Sequence, residues 1–201
     1  MKNKKNIITT QIIAGIHKGR SLELPSLEVT RSSKSILKES FFNTIQFDIM
    51  DAQLVEMFGG SGSIGLEAVS RGAKKVYFFE KNKKSFDVLQ RNINAIDSSK
   101  CEAYLGDVFE NFPNFLKGVD LDSEKFFFYV DPPFSIREGM EDIYDKMIHL
   151  LESIPTQIIE LLIIEHMTGL ELPDSIGDLV LKKSKKFGKT SLSYYQDPKK
   201  L

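Results

Sequence analysis

Four short stretches of the sequence carry residue types at spacings that could do chemistry. In "FGGSGSIG", Gly60, Gly62 and Gly65 stand at the spacing G-x-G-x-x-G, with Phe58 before them and Ser61 between the first two. Glycines let the chain turn tightly and let a ligand approach the main chain. A helix opening there presents N–H groups that suit a polar or anionic group. Glu80 ends "VYFFE", and Asp107 follows "AYLG". A carboxylate at the end of the second sheet strand can accept both hydroxyls of a ribose. The fourth stretch is "KFFFYVDPPF", in which an apolar run stops at Asp131, Pro132, Pro133 and Phe134.

The last stretch is the most specific. Prolines fix φ and carry no N–H, so Pro132 and Pro133 make a stiff turn whose carbonyls can face outward as acceptors. Asp131 adds an ionised acceptor, and the pair forms a fork able to grip a planar NH₂ group by two hydrogen bonds. Phe134 offers a flat face on which a base can stack. The glycine loop and Glu80 fit either a dinucleotide or S-adenosylmethionine. Hydride transfer has no use for the fork. Methyl transfer to an exocyclic amine does, because holding both protons aims the nitrogen lone pair at an electrophile.

Such groups need elements to hold them. "AQLVEMF", "KKVYFFE", "CEAYLGD", "KFFFYVD" and "IIELLIIEH" read as strands. "LEAVSRG" reads as a helix stopped by Gly72, "NKKSFDVLQRNINAI" as an amphipathic helix, "VFENFPNFLKG" as helix or loop, and "REGMEDIYDKMIHLLES" as a helix. Strands apolar on both faces, alternating with helices, predict an open, mostly parallel sheet covered on both sides. "LVLKKSKKFGKTSLSYYQ" predicts a terminal hairpin and hence an antiparallel strand. Upstream, "QIIAGIHKGRSLELP" predicts a short hairpin turning at Gly19. "SSKSILKESFFNTIQFDI" predicts a helix capped by Ser32 or Ser33, with Ile36, Leu37, Phe41, Ile45 and Ile49 at helical spacing. In an open sheet of this kind, ligands bind beyond the strands' C-terminal ends, and Gly60, Glu80, Asp107 and Asp131 all fall there.

A chain of 201 residues with 41% hydrophobic and 27% charged residues suits one globular domain. One cysteine, Cys101, excludes an intrachain disulfide and fits a reducing cytoplasm. No run is long enough to span a bilayer, and His17, His149 and His166 are too scattered to suggest a metal site. The net charge is only −1, but both ends are cationic. Lys18, Arg20, Arg31 and Lys38 belong to a basic N-terminal stretch, and Lys182, Lys183, Lys185, Lys186 and Lys189 cluster with no acid among them. Basic ends flanking an acidic middle suit a polyanionic partner, although lysines of this kind also serve solubility alone. Nothing implies an oligomer, and a monomer is expected.

The residues also carry a resemblance. "DPPF" resembles the (D/N)-P-P-(Y/F/W) motif of amino-group methyltransferases that use S-adenosylmethionine. "FGGSGSIGLEAVSRGA" is similar to the F-A-G-S-G-x-x-G-x-E-A-x-S-R-G-A segment of RsmD-type bacterial methyltransferases, which modify a guanine N2 of small-subunit (16S) ribosomal RNA. "QIIAGIHKGRSLELP", "TRSSKSILKESFFNTI" and "KFGKTSLSYYQ" resemble the opening, the following helix and the terminal hairpin of that family, so the likeness runs from Gln11 to about Gln196. Glu56 stands where the family usually has Asp; Gly59, Ser32, Ile36 and Ala14 also depart from its pattern.

The resemblance implies a Rossmann-like class I methyltransferase, a mostly parallel seven-stranded sheet with one antiparallel strand. Residues 1–50 would be a hairpin-and-helix extension contacting RNA through Lys18, Arg20, Arg31 and Lys38, and residues 51–201 the methyltransferase domain. Phe58, Gly60, Ser61, Gly62 and Gly65 would wrap the methionine and ribose of S-adenosylmethionine. Glu80 would hold the ribose hydroxyls and Asp107 the adenine amine, with Lys81 and Val108 also in the cofactor site. Asp131 and the Pro132 carbonyl would grip the target amine, Pro133 would stiffen the turn, and Phe134 would stack on the guanine. The partner is 16S rRNA or a small-subunit assembly particle, with no membrane and no metal. The alternatives are an amino-methyltransferase for another nucleic acid, such as a DNA adenine enzyme, a dinucleotide enzyme, or a non-catalytic RNA-binding relative.

Overall fold

Apolar strands and amphipathic helices in alternation build one mixed sheet with helices on both faces. A computed structural model describes residues 8–25, 31–133 and 142–200, with side chains in the first helix described from Ser35 onward. In chain order come β1 (Thr9–Gln11), β2 (Ser21–Glu23), α1 (Arg31–Thr44), β3 (Gln53–Glu56), α2 (Ser63–Ser70), β4 (Lys75–Glu80), α3 (Lys83–Ile96), β5 (Cys101–Leu105) and α4 (Val108–Leu116). β6 (Phe126–Val130), α5 (Ile143–Glu152), β7 (Ile159–Met167), β8 (Ser175–Ile176), β9 (Leu179–Phe187) and β10 (Thr190–Gln196) follow.

β1 and β2 form an antiparallel hairpin, Thr9 opposite Glu23. The main sheet runs β5-β4-β3-β6-β7-β10-β9-β8. β3 to β7 are mutually parallel, and β10 lies antiparallel between β7 and β9. The seven expected strands are joined by an eighth, the two-residue β8 against β9. Two residues carry too little periodicity to be legible as a strand. The chain order reverses between β3 and β6, so a crevice opens there at the strands' C-terminal ends.

Alternation within the strands sends side chains into two cores. Leu54, Val76, Phe78, Phe127, Tyr129 and Ile163 pack with residues of α1, α2 and α3 on one face. Val55, Phe79, Phe126, Phe128, Val130 and Leu162 pack with residues of α4 and α5 on the other. All five residues of β6 are buried, which explains the unbroken run "FFFYV". In α1, Leu37, Phe41, Phe42 and Ile45 are core residues, but Ile36 is exposed. The helical stripe is thus centred on Leu37 and Phe41, and Ile36 falls one step off it. The helix begins at Arg31, which puts Ser32 and Ser33 inside the first turn rather than at the cap.

Candidate active site

The glycine loop bridges β3 and α2. Gly62 caps α2 in the left-handed region at φ 76°, where side chains are strained. Space matters as much at Gly65, where a Cβ would lie 2.3 Å from the Phe78 ring. Two carboxylates fix the loop's shape. Glu56, at the end of β3, accepts the Gly65 N–H at 2.8 Å in the buried interior. Glu80, at the end of β4, accepts the Gly60 N–H at 2.8 Å and the Asn82 N–H at 2.6 Å. Partial burial pushes the Glu80 carboxyl above its ordinary range, and the backbone N–H groups only partly oppose this. It is half-buried, and its backbone donors do not fill the about four acceptor positions of a carboxylate, so it can still receive hydroxyls.

A third hold on the loop comes from α3. Asn92 sits on the apolar stripe of that helix beside Leu89, Ile93 and Ile96. Its amide donates to the Ser61 carbonyl and to the Glu23 carbonyl, each at 2.9 Å, and its oxygen accepts the Glu23 N–H at 2.9 Å. One side chain therefore ties the glycine loop to the N-terminal hairpin. A lone amide on an apolar helix face was the signal for it, and no motif pointed there.

Asp107 caps α4 by accepting the Phe109 N–H at 3.1 Å, and its other oxygen takes the exposed Lys81 ammonium at 2.7 Å. The Asp107 carboxylate holds the Lys81 ammonium above its usual value. Val108 sends its side chain into the core, which leaves its backbone as the part a ligand could meet. Phe58 is half-buried, edge-on to Phe109 at 6.3 Å between ring centres. β6 delivers Asp131 half-buried, Pro132 buried and Pro133 half-buried at the same edge. Phe134 lies outside the described residues. The structure thus brings Phe58, Gly60, Ser61, Gly62, Gly65, Glu80, Lys81, Asp107, Val108 and Asp131 to one sheet edge around the switch point.

The basic residues divide. Lys18 and Arg20 are exposed on the hairpin loop, and Arg20 donates to the Ala95 carbonyl at 2.7 Å. Arg31 begins α1, and its side chain lies outside the described set. Lys38 corrects the expectation made of it. It is 3% exposed, donates to the Gln11 carbonyl at 2.9 Å and lies 3.5 Å from Glu67. Burial lowers its pKa despite that partner. A lysine enclosed in this way cannot reach a phosphate; its place in a basic stretch was misleading because charge patterning does not show which face a residue takes.

Glu67 is the hub that sequence reasoning missed. Fully buried in α2, it accepts the Ile13 N–H at 2.7 Å, the Ala14 N–H at 2.9 Å and the Arg71 Nε–H at 2.8 Å. Ser70 adds to this by accepting the His17 N–H at 3.0 Å and donating to the Ala14 carbonyl at 2.6 Å. The hairpin loop is thereby fastened to the C-terminal half of α2, whose N-terminal end opens from the glycine loop. An acid inside the apolar run "IGLEAVS" was the visible trace.

A mostly parallel sheet with this strand order, a glycine loop at its switch point and acids at its strand ends has the fold of class I methyltransferases. The chain belongs to the family described as Conserved hypothetical protein 95, whose model matches residues 10–196. It is 30% identical over 189 residues to Ribosomal RNA small subunit methyltransferase D of Escherichia coli, covering 92% of this chain and 89% of that one. It is 34% identical over 125 residues to the protein of the same name from Haemophilus influenzae, covering 62% of this chain and 63% of the other. The solved Escherichia coli yhhF structure superposes with a TM-score of 0.73 at 27% identity, covering 94% of this chain and 98% of that one. Among the described residues no helix is long and apolar enough to cross a membrane.

Proposed function

We propose that this protein transfers the methyl group of S-adenosylmethionine to the exocyclic N2 of a guanine in small-subunit ribosomal RNA. The observation that carries the reading is the convergence of a glycine loop, a half-buried ribose-type carboxylate at Glu80 and the Asp131-Pro132-Pro133 turn on one sheet edge. The donor set fits the cofactor. Phe58 to Gly65 line the path of a methionine and ribose, Glu80 accepts the ribose hydroxyls, and Asp107 with the Val108 backbone faces an adenine. S-adenosylmethionine supplies an activated methyl group on a sulfonium. The protein supplies acceptors for the amine protons at Asp131 and the Pro132 carbonyl, and in the same reading Phe134 stacks on the base. Pro133 keeps the turn rigid, so little reorganisation is needed as charge develops on the nitrogen.

A base inside a helix cannot reach this edge, so the nucleotide is turned out of its stack. Residues 1–50 would contribute the exposed Lys18 and Arg20, and Arg31, as phosphate contacts, and the exposed Lys182, Lys186 and Lys189 stand at the other end of the chain. The relatives named for small-subunit ribosomal RNA methylation support the substrate class. The deciding experiment is single-turnover transfer of labelled methyl from S-adenosylmethionine to small-subunit RNA, with mass spectrometry of the product. Label on a guanine N2, and loss of one methylguanosine from RNA of a strain lacking the gene, is the expected result. Label on adenine, or none at all, would reject the reading.

A further inference from the structure

The end of β6 does not present its acid alone. Val130 pairs with Ile164 in the parallel ladder, so the next residues along the two strands are Asp131 and Glu165. Adjacent strands lie about 4.8 Å apart, which sets the two acidic residues side by side at the edge where the target base is proposed to be read. Glu165 is 4% exposed and is held from below, because Tyr129 O–H donates to its Oε2 at 2.8 Å. Tyr129 sits two residues before Asp131 on the same strand, and Leu192 flanks Glu165 on β10. Burial pushes the Tyr129 hydroxyl well up, and the charges of Glu165 and then Asp131 push in the same direction. Both carboxylates therefore act on one buried hydroxyl.

Two neighbouring acceptors match one nucleobase edge and oppose another. Guanine presents N1–H and the 2-amino group as adjacent donors on its Watson–Crick edge. Adenine presents an amine beside a bare N1, itself an acceptor. A carboxylate is acceptor-only when ionised. We propose that Glu165 selects guanine by accepting the N1–H of the base whose 2-amino group Asp131 holds. Adenine would set a lone pair against the Glu165 carboxylate. A purely structural Glu165, bracing β6 on β7 through Tyr129, would show no preference of this kind. The inference rests on the reading of the site as a guanine-N2 methyltransferase.

The test uses two RNA substrates, one with guanine and one with 2-aminopurine at the target position, in single-turnover methyl transfer with cofactor saturating. 2-Aminopurine keeps the 2-amino group but leaves N1 bare. The wild type is expected to favour guanine by a hundredfold or more, since a site built to bond an N–H rejects an analogue lacking it. Glu165→Gln places an amide donor opposite N1 and is expected to cut that preference at least tenfold, by slowing guanine and speeding 2-aminopurine. Equal slowing of both substrates would assign Glu165 a bracing role and overturn the proposal. Should Glu165→Gln not fold, the wild-type ratio decides, and equal rates on the two bases overturn it. A wild type that leaves the guanine substrate unmethylated would instead bring down the functional reading itself.

Discussion

Two sets of carboxylates surround α2 and the neighbouring strand ends, and they differ in what burial lets them do. Glu56 and Glu67 are buried, and both hold backbone N–H groups, one in the glycine loop and the other in the N-terminal hairpin. Glu80, Asp107 and Asp131 are half-buried at the strand ends. The first set turns charge into geometry, since a buried charge is tolerated only when hydrogen-bonded or paired. The second set stands at the strand ends that border the crevice. Among these five, the contrast separates scaffold acids from the acids proposed to meet ligands by their surroundings; Glu165, buried yet assigned to the base edge, lies outside it.

The largest effect should come from breaking the scaffold set. Glu67→Ala strands two backbone N–H groups and leaves Lys38 without its carboxylate, and removing one partner of a buried pair costs about 3–5 kcal/mol. Urea unfolding should show that loss in the transition midpoint. A midpoint equal to wild type would mean that Glu67 does not hold the hairpin.

The second set should respond in the opposite way. Asp131→Ala is expected to slow single-turnover methyl transfer by about a hundred- to a thousandfold, the usual cost of losing one electrostatic partner of a transition state. Its unfolding midpoint and its affinity for S-adenosylhomocysteine should stay near wild type. Asp131→Asn, which retains a carbonyl acceptor, should keep measurable activity. A folded Asp131→Ala protein with wild-type rate would reduce the turn to a turn.

Glu80 belongs to the second set but shares a role with the first, because its carboxylate also shapes the loop. Glu80→Ala should weaken cofactor affinity by about 1.5–3 kcal/mol, the scale of hydrogen bonds to a charged group, as read by calorimetry. Its raised pKa gives the same acid a pH signature. The ionised form offers the most acceptors to the ribose, and it is lost as pH falls through the folded value. That value lies above the usual carboxylate range, so cofactor affinity should begin to fall at a higher pH than an ordinary glutamate would cause. In Glu80→Gln this component of the pH dependence should vanish; an identical profile would place the titrating group elsewhere.

The smallest effect belongs to the exposed cations. Replacing Lys18, Lys186 and Lys189 by alanine should leave stability within about 0.5 kcal/mol, as for most surface changes. It should also flatten the salt dependence of RNA binding, by roughly one unit of slope for each phosphate no longer neutralised. An unchanged slope would mark them as solvated surface. Lys38 does not belong to this group, because its ammonium is enclosed by Gln11 and Glu67.

Much of the fold and of the candidate site was legible from local pattern. Glycine spacing, an acid closing each apolar run and the stiff Asp-Pro-Pro turn are all written in consecutive residues. Strand alternation and helix periodicity then place them at one sheet edge by the general rule for open parallel sheets. What stayed hidden depends on contacts between distant segments. Glu67 meets residues of the hairpin loop, Asn92 meets Ser61 and Glu23, and Tyr129 meets Glu165, each pair separated by thirty positions or more. Lys38 shows the same limit from the other side, since a lysine in a basic stretch carries no mark of the face it will take. The sequence by itself determined which residues could bind a cofactor and grip an amine, because those abilities follow from residue type and short-range spacing. Only the tertiary structure decided which acids became scaffold, which cation was enclosed and which acidic residues neighbour one another across β6 and β7, because burial and strand register exist only once the chain has packed.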